Sequence, residues 1–214
     1  MSPTRARLLL VIAAACAALA GFWLGQLERG SPQLTSGTWL PQAKAVADFS
    51  LIDTSGRPFT RRELAGAPTL VFFGFTHCPD VCPTTLSKLA RLLRLAPVRQ
   101  PATLGRLRVV FISVDPQRDT PRQLATYVHA FDPQFEGLTG DSASIARIAA
   151  NFGVAVNRVE LPGGDYTMDH SAVVFLLDDA ARIVAIFTPP FEVAPIAADL
   201  ERAAPFLARA RAKT

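Results

Sequence analysis

Cys78 and Cys82 stand four positions apart in "FTHCPDVCPTTL", residues 75–86, each followed by a proline and the first preceded by His77. Such a pair supports three readings. The thiols can exchange with a disulfide, they can ligate a soft metal ion as thiolates, or they can simply occupy the start of a helix. At i and i+4 of a helix they would share one face, about 6 Å apart at the backbone. A disulfide tolerates Cα separations of ~4.4–6.8 Å, and the same spacing brings two thiolates to one small ion. A helix N-terminus favours negative charge and so lowers thiol pKa. Pro79 and Pro83 cost little there, because first-turn N–H groups lack intrahelical acceptors. A thioredoxin-type oxidoreductase normally has two residues between its cysteines, and here there are three. A peroxiredoxin-type peroxidase would need a peroxidatic cysteine with a supporting Thr and Arg. Thr76 is close by, but the paired cysteines argue against that chemistry.

Two thiolates select Cu(I), and imidazole is a frequent third ligand. His77 adjoins Cys78 and is expected to point away from it. His129 falls in an amphipathic pattern, where a partly exposed helix residue is the plain reading. His170, in "YTMDHSAVVF", stands at the start of a core strand on the terminal hairpin. From the residues alone the third ligand stays open. Asp80 could orient a ligand, or it could be a first-turn carboxylate favoured by the helix dipole. Asp169 could hold His170 by a hydrogen bond, or it could cap the strand.

The elements that must position these residues follow from periodicity. "VADFSLIDTSGRPF" (46–59) predicts two short strands about a turn. "PTLVFFGF" (68–75) and "LRVVFISVD" (107–115) are continuous apolar runs, each the length of a buried strand. From Pro79 onward the apolar spacing turns helical. "TPRQLATYVHAF" (120–131) starts with a Thr N-cap and a Pro, and "DSASIARIAANFG" (141–153) runs from an Asp cap to a Gly. "SAVVFLLD" (171–178) and "RIVAIFT" (182–188) predict a hairpin, and a helix over 192–210 closes the chain. This order predicts an α/β, thioredoxin-like fold, a central mixed sheet flanked by helices. A right-handed crossover joins the strands at 68–75 and 107–115. The Pro-rich turn holding Asp115, Arg118 and Asp119 reads as structural.

"GFTHCPDVCP" (74–83), "VDPQRDTP" (114–121) and "YTMDHS" (166–171) together resemble the Sco (SenC/PrrC-like) family, copper-binding assembly proteins of cytochrome c oxidase. The likeness in element order spans about 46–204. It implies that Cys78, Cys82 and His170 bind one copper ion, as Cu(I), Cu(II) or both. It also implies a copper metallochaperone whose partner is the copper-site subunit of the oxidase, with a further copper carrier or thiol reductase as a second class of partner. A membrane-anchored thiol–disulfide oxidoreductase acting on partner cysteines is the alternative; turnover as an enzyme is otherwise not expected.

The rest of the chain says where this chemistry takes place. Residues 8–25, "LLLVIAAACAALAGFWLG", hold no charged side chain and would span ~27 Å as a helix. Arg5 and Arg7 precede them, so the positive-inside rule sends the later residues outward. The expectation is a single-pass anchor over 1–25 in the inner membrane, with the following domain on the periplasmic side. A signal peptidase site near "ALAG" and lipidation at Cys16 are the rival readings. Residues 26–44, with Gly30, Pro32, Gly37 and Pro41, predict a linker, and 45–210 the domain. The net charge of +4 gathers at the two ends, so no basic strip for nucleic acid is seen. Three cysteines are too few for a disulfide scaffold.

Overall fold

The computed structural model describes residues 16, 18–19, 31–99 and 107–211. It divides into two units, Met1–Ser31 and Pro32–Thr214, and the fold is that of the second. The anchor expected over 1–25 lies outside the described residues, except for positions 16, 18 and 19. Among the described residues no helix is long and apolar enough to cross a membrane.

The centre is built from two fully buried strands, β4 (Thr69–Gly74) and β5 (Arg108–Ser113), which pair in parallel. Their unbroken apolar runs match burial on both faces. β6 (Glu136–Thr139) pairs parallel to β5 on one side, and β9 (Val174–Leu177) pairs antiparallel to β4 on the other. β10 (Arg182–Phe187) continues past β9. β2 (Ser50–Asp53) and β3 (Pro58–Thr60) extend the sheet beyond β6. β1 (Gly37–Ala45) closes the other edge against β10, giving the order β1-β10-β9-β4-β5-β6-β2-β3. Four helices accompany the strands after the short α1 (Arg61–Leu64). They are α2 (Val81–Arg99), α3 (Pro121–His129), α4 (Ser142–Phe152) and α5 (Val193–Arg211). α2 packs against α5, and α3 lies along β6. This is the mixed sheet flanked by helices that the element order predicts.

The helix ends behave as their residues dictate. Thr120 caps α3, its hydroxyl accepting from the Gln123 N–H while Pro121 fills the first turn. Asp141 caps α4, and Gly153 ends it in the left-handed region at φ 77°.

Three expectations need correction. The linker read over 26–44 is a strand from Gly37 onward, with a register shift between Trp39 and Lys44 around Pro41. Buried Asp199 of α5 holds the approach to that strand. Its carboxylate accepts the backbone N–H groups of Thr35, Ser36 and Gly37 and both hydroxyls of Thr35 and Ser36. Second, the strand expected over 171–178 starts only at Val174. Third, a separate two-stranded hairpin precedes it, β7 (Val156–Glu160) and β8 (Tyr166–His170), which among the described residues pairs with no strand of the main sheet.

Candidate metal centre

Cys78 lies in the loop between β4 and α2, and Cys82 is the second residue of α2. The two therefore do not share a helical face, as the i, i+4 spacing suggests. Instead Cys78 sits in front of the helix N-terminus, and the Cys82 N–H donates to its sulfur at 3.4 Å. The Cys78 thiol is depressed to about 5. Donation from the Cys82 thiol is the largest cause, and the backbone N–H groups of Cys82 and Asp80 add to it against the cost of burial. Cys82 moves the other way: donating to Cys78 and sitting in the core both hold it protonated. At neutral pH the pair is thus one half-exposed thiolate hydrogen-bonded by one buried thiol.

Room for the buried sulfur comes from Gly74 at the end of β4. A Cβ there would lie 2.8 Å from Cys82 Sγ and 2.7 Å from the Phe111 ring, inside contact distance.

His170 closes the site from the opposite side. It ends β8, not the core strand, and its Nε2 lies 3.6 Å from Cys82 Sγ. Its Nδ1 lies 3.2 Å from the Ser171 carbonyl; in the tautomer that carries its proton on Nδ1, this contact orients the ring with Nε2 turned to the cysteines. The ring stands edge-on to Phe75 and Phe72, with centroids 6.0 and 6.2 Å away. Phe75, Cys78, Asp80, Met168 and His170 line a small open pocket at this point.

Of the other candidates, His77 and His129 turn away from the pocket, while Asp80 and Asp169 stand at its rim. His77 is half exposed and its Nδ1 turns to Thr76 Oγ1 at 3.0 Å. His129 is exposed in the last turn of α3. Asp80 is exposed and accepts from the Thr84 hydroxyl at 3.2 Å, so its side chain serves the helix start while its N–H serves Cys78. Asp169 is exposed on the strand face opposite His170; the Ser171 carbonyl takes the orienting position expected of it.

Sequence reading missed how much the "VDPQRD" turn does for the site. Asp119 is fully buried and accepts from the Thr76 N–H at 3.0 Å, the Thr76 hydroxyl at 2.6 Å and the Ser113 hydroxyl at 2.6 Å. It thereby fixes the cysteine loop to the end of β5. Asp115 accepts from Arg118 and, at 2.8 Å, from the Tyr166 hydroxyl, joining the same turn to β8. The signal was present in the density of charged residues at the end of an apolar strand, where unpaired carboxylates are not tolerated.

The donor set fits a soft ion. Two sulfurs and one imidazole suit copper in either common oxidation state, and the 3.6 Å between Cys82 Sγ and His170 Nε2 is a spacing two ligands of one ion can share. Among the described residues no three His, Cys, Asp or Glu side chains are already gathered around a common point; Cys82 links the two half-sites.

Comparison with known proteins places the chain. The SCO1/SenC family model matches residues 38–205. The mitochondrial SCO2 homolog of Bos taurus is 38% identical over 178 residues, 79% of this chain and 64% of that protein. The chain thus spans just under two thirds of that relative. The structure of Bradyrhizobium japonicum ScoI with copper bound is 42% identical, with TM-score 0.65 over 74% of this chain and 98% of that one. Arabidopsis thaliana ScoI with copper bound is 35% identical, with TM-score 0.69 over 74% and 97%. With its cysteine loop, acidic turn and histidine hairpin in one fold, the chain belongs to the SCO1/SenC family.

Proposed function

We propose that this chain binds one copper ion through Cys78, Cys82 and His170 and carries it to the copper site of cytochrome c oxidase. The observation that carries the reading is the approach of His170 Nε2 to Cys82 Sγ across the gap between hairpin and helix. A redox pair has no use for an imidazole held there with its second nitrogen already engaged. Copper in the ScoI relatives supports the choice of metal. Copper supplies a soft, one-electron centre that thiolates stabilise when reduced and that imidazole helps to hold when oxidised. The protein's part is to present a thiolate at Cys78, surrender the Cys82 proton as the ion binds, and orient the imidazole. We place the domain outside the cytoplasmic membrane, tethered by the N-terminal apolar run. The expected result on loading is one copper per chain, with affinity lowered by both Cys78→Ala and His170→Ala. Unchanged stoichiometric Cu(I) binding by Cys78→Ala would overturn the reading.

A second activity rests on the asymmetry of the pair. The Cys78 thiolate can attack a partner disulfide, forming a mixed disulfide and expelling one partner thiolate. Cys82 then attacks Cys78 Sγ, releasing the second partner sulfur as its own proton passes outward. Two electrons move from the pair to the partner. His170→Ala separates the activities, because it is expected to spare disulfide reduction and weaken copper binding.

A further inference from the structure

We propose that Tyr166 is the positioning residue for the His170 imidazole, acting as a latch between the histidine hairpin and the acidic turn. This rests on the reading of His170 as a ligand. The need for a latch follows from topology. Among the described residues β7 and β8 pair only with each other, so no ladder of the main sheet fixes the distance from His170 to the cysteines. Side chains contribute to it: Val156 and Met168 pack on the core, the His170 ring stands against Phe72 and Phe75, and the polar ties to the acidic turn converge on Tyr166.

The Tyr166 ring lies between two guanidiniums, Arg118 at 3.7 Å and Arg158 at 3.6 Å from the ring centre. Cation–π attraction on both faces holds the ring. Its hydroxyl donates to buried Asp115 at 2.8 Å, and its carbonyl accepts from Arg118 Nη1 at 3.0 Å. Arg118 is itself held by Asp115. Arg158, on β7, also donates to Gln117 at 3.1 Å, so both strands of the hairpin are tied to the 115–118 turn. Tyr166 and His170 lie on the same face of β8, four residues apart. Fixing the first therefore fixes where the second meets Cys82. The same turn anchors the cysteine loop through Asp119, so one short segment sets both halves of the site.

The full chain tests this, with Cu(II) as the probe and two readouts. One is affinity, together with nitrogen coupling in the electron paramagnetic resonance spectrum. The other is hydrogen exchange of the β8 amides in the metal-free protein. Loss of an orienting partner typically costs 10–100-fold in metal affinity. Tyr166→Ala is expected to lose affinity on that order, to weaken nitrogen coupling and to speed β8 exchange. Tyr166→Phe, which keeps the ring between the guanidiniums, is expected to restore most of the loss. Tyr166→Ala combined with His170→Ala should bind no more weakly than His170→Ala alone. Wild-type coupling in Tyr166→Ala, or additive losses in the double variant, would overturn the latch. Should Tyr166→Ala not fold, Arg158→Met at its exposed position decides: faster β8 exchange with weaker Cu(II) binding supports the proposal, and unchanged values overturn it. A His170→Ala protein with an unaltered copper spectrum would instead remove the ligand reading itself.

Discussion

A thiolate hydrogen-bonded by a neighbouring thiol makes the reduced, metal-free protein sensitive to pH in a defined direction. Cys78 is about 5 when folded, against an ordinary value of 9.0. Between these limits the unfolded chain carries the thiol proton and the folded chain does not, so stability rises with pH. The stabilisation is complete above the unfolded value and lost as pH falls through about 5. Urea unfolding of the reduced protein between pH 5 and 8 is expected to show that rise, and a Cys78→Ser protein should lack it. Iodoacetamide should likewise modify Cys78 with a midpoint near 5 and leave Cys82 largely untouched. Gly74 makes a second prediction at this scale. Gly74→Ala would press a methyl group on Cys82 and Phe111, and overpacking of this kind costs about 1–3 kcal/mol. Chemical denaturation reads the loss, and weakened Cu(I) binding would show that the sulfur had moved.

Among the elements, the long runs that face the core are legible; the short buried β6 (Glu136–Thr139), four residues only, and the strands that pair at the surface are not. The runs at 68–75 and 107–115 announce β4 and β5 because burial on both faces demands continuous apolar sequence. The helix caps at Thr120 and Asp141 were readable for local reasons. β1 was read as linker because it is an edge strand with most side chains exposed and a proline at its register shift, so no alternation marks it. β7 and β8 are hidden for a related reason: they are short and mix polar with apolar residues, with only Val156 and Met168 packed on the core. The structure brings His170 to 3.6 Å from Cys82, and the geometry of that approach is not legible in the sequence, since it depends on a helix start and a hairpin far apart in the chain. The Asp199 cluster yields a prediction at this level. Asp199→Ala would remove the acceptor of three backbone N–H groups of residues 35–37 and is expected to cost about 1–3 kcal/mol. Asp199→Asn should recover part of that, as measured by urea unfolding.

For the molecule as a whole, the boundary of the folded domain lies earlier than composition suggests. A chain beginning at Pro32 retains β1 and the Asp199 contacts, whereas one beginning at Val46 loses both and bares the edge of β10. The shorter chain is expected to melt about 10 °C lower, taking roughly 2–4 °C per kcal/mol for a domain of this size; equal melting temperatures would show β1 to be dispensable. Finally, the cysteine loop is held by Asp119 through Thr76 and Ser113, bonds that lie wholly within the chain. The loop is thus ordered when the chain folds, and under the proposed function binding of copper would spend little free energy on arranging it. The empty, loaded and ligand-deleted forms should therefore share one backbone, so that their amide spectra differ only around the sulfurs and the hairpin. Chemistry at the pair can then be altered one atom at a time without the scaffold answering back.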